Sequence, residues 1–243
     1  MDSQDPVAIA AVNAIRAGDT TALAALLSEH PGLVSEQIHD SRTPLLVATD
    51  WPGFYPAGPA TVRLLIDTGA DPNADTGGDQ PETPLHWAAS SDDADVADAL
   101  ISGGAGLETP GGSIGTPLDN AIGYSCWNVA RLLVQRGARV DKLWHAAALG
   151  IMARLEELLA ATPPPSADDV NEAFWQACHG GQRRTAERLL ASGADLNATP
   201  GYSDQAAAEA AAEIGTQREN LVAWLRDQGA GASAGQASRR TVS

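Results

Sequence analysis

Apolar residues recur along this chain with a fixed period and fixed punctuation. Two Thr-Pro-Leu segments, at Thr83 and Thr116, lie 33 residues apart, and each is followed 21 residues later by Gly-Ala. With the threonine counted as position 1, apolar residues at positions 3, 6, 7, 14, 17 and 18 fit two short helices packed back to back. This pattern predicts an array of repeats, in which each repeat buries its apolar face against its neighbours.

The residues between the apolar positions indicate where each helix begins and ends. Proline at position 2 suits the first turn of a helix, where its missing N–H costs nothing and its fixed φ is already helical. Glycine at position 22, as at Gly104 and Gly137, is the usual left-handed cap that ends a helix. The polar residues that follow are expected to form a turn that leads into the next repeat.

Less regular copies extend the array to seven expected repeats over residues 5–230. The expected repeats cover residues 5–42, 43–82, 83–115, 116–140, 141–171, 172–205 and 206–230. The first lacks Thr-Pro-Leu, as a capping repeat would, and the second carries about five extra residues within Asp50 to Pro59. Gly215 is expected within an imperfect seventh repeat, and residues 231–243 are small and polar and are predicted to be disordered.

The amino-acid composition and net charge exclude some classes of binding partner. The chain has 243 residues, 44% of them hydrophobic and 19% charged, which is typical of a folded protein. Its formal net charge of −16 repels nucleic acid and anionic membrane surfaces, so we expect neither as a partner. A single lysine among many alanines suggests a bacterial gene of high GC content.

Three further features favour a cytoplasmic protein. The two cysteines, Cys126 and Cys178, are too few for a disulfide framework, so a reducing compartment is the simplest interpretation. The acidic amino terminus has no apolar run behind it, unlike a secretion signal. No stretch approaches the roughly 18 apolar residues that a membrane helix needs.

The repeat pattern resembles the ankyrin repeat family. Thr83-Pro84-Leu85-His86 with Ala88 matches the family signature, and Gly-Ala-Asp-Pro-Asn at 69–73 and Gly-Ala-Asp-Leu-Asn at 193–197 match its usual ending. The resemblance implies an all-α solenoid of helix-turn-helix repeats with hairpin loops, whose concave face commonly binds partners. It also implies a structural role for His86, through a hydrogen bond to the position-1 threonine.

One row of residues departs from the family pattern. Position 5, usually leucine in the family, is Asn120, His145 and Gln176 in three successive repeats. A buried and unpaired amide or imidazole costs about 1–3 kcal/mol. These side chains must therefore be hydrogen-bonded between repeats, exposed to solvent, or in contact with a ligand. We predict that His145 opens into the groove within reach of a neighbouring amide.

Two functions remain open at this stage. The family resemblance favours a protein that binds a protein partner in its concave groove, whereas the polar row favours a small-molecule-binding protein or an enzyme of proton-transfer chemistry. The candidate catalytic residues are His145, His179 and Asp50. The candidate binding residues are Trp51, Tyr55, Trp87, Ser91, Asn120, Tyr124, Trp127, Met152, Gln176 and Arg183.

The sequence offers no motif for a cofactor or a metal. It contains no Gly-rich phosphate loop, GxSxG elbow or HExxH segment, and no spacing typical of metal ligands. Cys178 occupies a position that is normally a buried alanine, which argues against a nucleophile. The 50–59 loop is expected to fold over the concave side near Trp87, because its aromatic residues need an apolar surface.

Overall fold

The computed structural model describes residues 4–39, 42–212 and 219–230. The chain divides into two compact units, unit 1 (Met1–Arg139) and unit 2 (Val140–Ser243). Fourteen α-helices and one 3-10 helix lie within the described residues, which contain no named β-strand. None of these helices is long and apolar enough to cross a lipid bilayer. Gly215 and the predicted tail over 231–243 fall outside the described residues.

Unit 1 contains four helix pairs and a short 3-10 helix. Its helices are α1 (Pro6–Ala17), α2 (Thr20–Glu29), the 3-10 helix (Pro31–Ser35), α3 (Pro44–Ala48), α4 (Gly58–Asp67), α5 (Pro84–Ser91), α6 (Ala94–Ser102), α7 (Pro117–Gly123) and α8 (Trp127–Gln135). Each odd-numbered helix packs against the next even-numbered one. Successive odd-numbered helices also pack on each other, as do successive even-numbered helices. The apolar face of each pair is therefore covered by its neighbours, as the repeat pattern predicts.

The Thr-Pro-Leu segments begin helices as predicted. In α3, α5 and α7 the threonine is the N-cap and proline occupies the first turn. The Thr116 backbone N–H donates to Asp119 Oδ2 at 2.7 Å, while the Asp119 N–H donates to Thr116 Oγ1 at 3.4 Å. This reciprocal capping satisfies two N–H groups that the helix itself leaves without partners. The predicted glycine caps after the second helices are also confirmed, with φ of 99° at Gly104 and 102° at Gly137.

Unit 2 repeats the same pairwise packing with one longer helix. Its helices are α9 (Leu143–Ala148), α10 (Met152–Leu159), α11 (Ala167–His179), α12 (Arg183–Ala191), α13 (Ala207–Ala211) and α14 (Glu219–Asp227). Helix α11 packs against α9, α12 and α13, and Phe174 at its centre is fully buried. The repeat boundary expected between residues 171 and 172 lies inside α11. This helix starts earlier because Ser166 and Asp169 form a capping box.

The loops between helix pairs are joined by polar contacts from one repeat to the next. Asn73 Nδ2 donates to the Gly104 carbonyl at 3.1 Å, and Asn73 Oδ1 accepts from the Gly106 N–H at 2.8 Å. The Gly112 N–H donates to the Pro81 carbonyl at 3.0 Å. Because loop backbone groups need partners too, these bonds fix the stacking register of neighbouring loops.

His86 has the structural role that the family resemblance implies. Its Nδ1 lies 3.1 Å from the Thr83 backbone nitrogen and 2.8 Å from Thr83 Oγ1, and its Nε2 lies 3.0 Å from the Gly115 carbonyl oxygen. Burial lowers the pKa of His86 from its ordinary value of 6.5, although the bond to Gly115 opposes that shift. The imidazole is therefore neutral in the folded chain near pH 7.

Acidification is expected to destabilise the protein through His86. As the pH falls through the ordinary histidine range, the unfolded chain takes up a proton that the folded chain resists, so the free energy of unfolding decreases. Urea denaturation at pH 7.0 and pH 5.5 measures this loss. His86→Gln should make the pH dependence shallower, while His30→Gln, at an exposed position, should leave it unchanged. If the free energy of unfolding changes equally with pH in the unaltered protein and in both variants, His86 is not the group responsible.

Candidate functional site

A cleft in unit 1, called the Trp87 cleft below, brings together several of the predicted site residues. It has a volume of about 240 Å³ and is lined by Arg42, Asp50, Trp51, Glu82, Trp87, Ser90, Ser91, Ser113 and Tyr124. Helix α5 supplies one wall, the loop between α3 and α4 a second, and the loop before α7 with the end of α7 a third. Five of the nine residues were candidates from the sequence: Asp50, Trp51, Trp87, Ser91 and Tyr124.

The loop between α3 and α4 is held against the third helix pair. The Phe54 N–H donates to Asp93 Oδ2 at 2.7 Å, and a Cβ added at Gly53 would lie 3.0 Å from the Ser91 Cβ. The loop therefore lies close to Trp87, as expected. The expected burial of its aromatic residues is wrong for two of them, because Trp51 is 78% exposed and Phe54 is 67% exposed. The backbone contacts hold the loop, so these rings are not needed to anchor it.

Asp50 is committed to an ion pair at one side of the cleft. Arg42 Nη1 donates to Asp50 Oδ2 at 2.9 Å, and Arg16 Nη2 lies 4.0 Å from the same oxygen. The guanidinium carbon of Arg42 lies 4.9 Å from the centroid of the Trp87 ring, which is a cation–π contact. The catalytic role predicted for Asp50 stays a prediction.

Glu82 is held in the cleft by donors from three parts of unit 1. Its Oε2 accepts from Trp87 Nε1 at 2.8 Å, and its Oε1 accepts from the Ser113 backbone N–H at 3.2 Å and from Asn120 Nδ2 at 3.4 Å. All three donors are neutral. They fix the position of the carboxylate without cancelling its charge.

The hydrogen bonds of Asn120 explain why α7 carries an amide where the family usually has leucine. The side chain is fully buried, and its Oδ1 accepts from the Ile114 N–H at 3.2 Å. Its Nδ2 donates to Glu82 Oε1 and, at 3.3 Å, to Ser90 Oγ. The amide is thus hydrogen-bonded between helix pairs, which is one of the alternatives that the sequence left open. Asn120 does not line the cleft, but it hydrogen-bonds to Glu82 and Ser90, which do.

His145 does not open into a groove. Its side chain is buried at 1% exposure, and Nδ1 lies 3.9 Å from Asp141 Oδ1. The ring lies 4.2 Å from that of Trp144 in an edge-on arrangement. The predicted opening is therefore wrong. Helix α9, which carries His145, packs against α10, α11 and α12. His145 and Gln176 belong to unit 2, whereas Asn120 belongs to unit 1.

A second polar cluster lies in unit 2 around Gln176. Gln176 Nε2 donates to the Tyr202 hydroxyl at 2.9 Å, and Gln176 Oε1 lies 3.5 Å from His179 Nδ1. His179 is 6% exposed and Gln176 is 4% exposed. Burial raises the pKa of Tyr202 to about 12 and also raises the pKa of Glu172, which hydrogen-bonds to that tyrosine. The catalytic role predicted for His179 stays a prediction, and its burial limits contact with a substrate.

The remaining candidates do not line the Trp87 cleft. Tyr55 is half-buried in the loop between α3 and α4, and Trp127 begins α8. Met152 begins α10, and Arg183 begins α12, where it pairs with Glu187 at 2.8 Å. These four candidates therefore lie on four different elements. Their binding roles stay predictions.

Neither cysteine is suited to nucleophilic chemistry. Both are free and buried, and burial raises the pKa of Cys126 to about 11 and of Cys178 to about 12. The reactive thiolate is therefore scarce near pH 7. Within the residues that the structure describes, no group of three or more His, Cys, Asp or Glu side chains is arranged to hold a metal ion.

Four residues of the cleft were not among the candidate site residues, namely Arg42, Glu82, Ser90 and Ser113. A signal for two of them was present, because Arg42 and Glu82 each stand directly before the threonine of a Thr-Pro-Leu segment. Charged residues at that position approach the start of the first helix from the preceding loop. Ser113 had no such signal, since its place depends on how one loop stacks on the next.

Comparisons with known proteins agree with this architecture. Residues 55–142 match the family model described as ankyrin repeats, with three copies. Within residues 55–142, the chain carries ankyrin repeats. Among solved structures, it is similar to the ankyrin repeat domain of Bcl-3, a member of the IkappaB protein family, with 23% identity and a TM-score of 0.54. That match covers 93% of this chain and 100% of the Bcl-3 chain.

A second similar structure is the human ASB11 ankyrin repeat domain. It is 19% identical, has a TM-score of 0.53, and the match covers 91% of this chain and 98% of that one. At these identities the likeness establishes the fold alone. The ankyrin repeats therefore account for the helix pairs and their loops. The chemistry of the Trp87 cleft must be argued from its own residues.

Proposed function

We propose that this chain is a binding protein that recognises a protein partner through the Trp87 cleft and the exposed apolar side chains around it. The proposal rests on the location of the exposed large apolar residues. Trp51, Phe54, Ile114 and Tyr124 are 78%, 67%, 45% and 49% exposed, and all belong to the loops or the helix end that form the cleft. We call these four residues the rim.

The rim has the character of a protein-binding surface. Exposed apolar patches of this kind commonly mark interaction sites, and aromatic residues are enriched among those that dominate binding energy. Ankyrin repeats commonly serve protein–protein interaction, which agrees with this assignment. We also propose a cytoplasmic location for the protein and its partner, which the free, buried cysteines support because they suit a reducing compartment.

The cleft suits a protein segment better than a small substrate. Pockets that enclose drug-sized molecules measure about 300–1,000 Å³, whereas the Trp87 cleft measures about 240 Å³. The residues proposed for proton transfer are dispersed as well. Asp50 is engaged with Arg42, while His145 and His179 are buried in unit 2. The small-molecule and enzyme alternative is therefore less well supported.

Site-specific photocrosslinking tests the assignment directly, because it captures whichever protein contacts the labelled position. A photoreactive phenylalanine is placed at Phe54 in one protein and at Arg63, an exposed position on α4 outside the rim, in a second. Each is illuminated in a lysate of the source cell, and crosslinked proteins are identified by mass spectrometry. We expect a protein that crosslinks at Phe54 and not at Arg63. Equal labelling at both positions would contradict the proposal.

Removing the rim aromatics is expected to weaken the purified complex strongly. Trp51→Ala combined with Phe54→Ala should raise the Kd about 30-fold or more, since the loss of a single anchor worth about 2 kcal/mol already corresponds to that factor. The free energy of unfolding should change by less than about 0.5 kcal/mol, because both rings are exposed. Calorimetric titration measures the Kd. Ile9→Ala, at another exposed apolar position, is the control. An unchanged Kd in the double variant would contradict the role of the rim.

A further inference from the structure

We infer that the Trp87 cleft receives an arginine side chain of the protein partner, with Glu82 as its charge partner. The inference rests on the proposed function and names the chemistry that the cleft selects. Its starting point is the carboxylate of Glu82, which lines the cleft and is oriented by Trp87, Ser113 and Asn120.

Within the described residues, no ion pair balances the charge of Glu82. In the described residues its hydrogen-bond donors are an indole N–H, a backbone N–H and a side-chain amide, and no ion pair involves it. An ionised carboxylate can accept about four hydrogen bonds, so three donors leave capacity for another. A half-buried carboxylate in this state gains most from a cation that arrives with a partner.

The other charged residues of the cleft cancel each other. Arg42 Nη1 and Asp50 Oδ2 form an ion pair at 2.9 Å, so this pair adds no net charge to the cleft. Arg16 lies 4.0 Å from Asp50 but does not line the cleft. Glu82 therefore gives the lining residues a net negative charge, which favours a positively charged group in the cleft.

The walls of the cleft suit a guanidinium group in particular. Arg42 already lies over the Trp87 ring at 4.9 Å, so this environment accommodates a guanidinium beside an aromatic face. Trp51 and Tyr124 are exposed and offer further aromatic surface. Guanidinium groups stack on aromatic rings and form directed bonds to carboxylates, and an ammonium group does both less well.

The size of the cleft fits a single side chain. Its volume of about 240 Å³ is below the range of about 300–1,000 Å³ for pockets that enclose drug-sized ligands, which suits an occupant as small as one side chain. The net charge of −16 acts in the same direction at longer range, because it attracts a basic partner before contact.

The test compares a charged probe with a neutral probe of the same shape. Acetyl-Gly-Arg-Gly-amide and its citrulline counterpart are titrated into the full chain at 150 mM salt, which screens long-range attraction. NMR signals of the Trp87 indole N–H and the Ser113 amide N–H report on the two oxygens of Glu82. We expect a saturable shift of both signals with arginine and a binding constant about tenfold weaker with citrulline.

Two variants separate the cleft from the overall charge. Glu82→Gln should abolish the preference for arginine over citrulline, while Glu29→Gln, which removes the same charge at an exposed position, should preserve it. Equal binding of the two probes by the unaltered protein would overturn the inference, and that comparison does not depend on the variants folding. Preferential binding of acetyl-Gly-Glu-Gly-amide would overturn it too, since Arg42 would then be the selecting residue. If both probes fail while the rim variants still lose the partner, the inference fails and the proposed function stands.

Discussion

Replacing Asn120 by aspartate should lower the free energy of unfolding by about 3–5 kcal/mol at pH 7, the range for leaving a buried charge without a partner. The substitution keeps the size of the side chain and changes only its chemistry. Asn120 is fully buried, and its Nδ2 lies 3.4 Å from Glu82 Oε1. A carboxylate there would replace a hydrogen bond with repulsion between two negative charges.

The loss should shrink as the pH falls from 7 to about 5. Burial and the charge of Glu82 both raise the pKa of the new carboxyl above its value in the unfolded chain. At this position the folded variant binds more protons than its unfolded chain, so its stability relative to the unaltered protein increases as the pH decreases. Thermal unfolding at both pH values measures the effect. Asn13→Asp, at an exposed position of α1, is the matched control and should change little. A variant that melts like the unaltered protein at pH 7 would contradict the buried contact.

Gly180→Ala should lower the free energy of unfolding by about 3 kcal/mol, the upper part of the range for overpacked cores. A Cβ at Gly180 would lie 2.2 Å from the carbonyl oxygen and 3.0 Å from the carbonyl carbon of Ala148. Both are backbone atoms at the end of α9, so they cannot move away as a flexible side chain could. The backbone of Gly180 itself is right-handed helical, with φ of −75°, so the collision alone carries the cost.

Two other glycines calibrate this result. Gly201→Ala meets no atom within 4 Å and is expected to stay within about 0.5 kcal/mol of the unaltered protein. Gly103→Ala meets the terminal Cδ1 of Ile66, which can rotate, so an intermediate loss is expected. Urea denaturation followed by circular dichroism ranks the three variants. If Gly180→Ala is as stable as Gly201→Ala, the close approach of α11 to α9 is refuted.

The sequence was most informative where structure depends on neighbouring residues. Thr83 and Thr116 cap their helices through atoms within three residues, and Gly104 and Gly137 end helices by their own backbone conformation. Such features follow from local chemistry and a repeat period. The same local rule was present at Ser166 and Asp169, where the capping box extends α11 beyond the expected repeat boundary.

The candidate site was harder to predict because it depends on contacts between repeats. Asn120 and Glu82 are 38 residues apart, and their bond requires that α7, α5 and the intervening loop stack in one particular register. His145 is a second case in which the sequence did not predict the environment of a side chain. Its position in the repeat suggested access, but its side chain is buried at 1% exposure. Position within a repeat does not determine exposure when the neighbouring repeats differ in length and composition.

Asp92 belongs to two helix pairs at once. It ends α5 in a left-handed conformation, with φ of 57°, and its carboxylate accepts from the Asn128 N–H at 2.9 Å, from Asn128 Nδ2 at 2.7 Å and from the Val129 N–H at 3.0 Å. Helix α8 has no capping hydrogen bond from its own N-cap, Cys126. A gene exchange that moved residues 116–139 as a block would therefore separate α8 from the carboxylate that caps it. Duplication or transfer of α8 must therefore carry Asp92, which belongs to the preceding repeat, along with the helix.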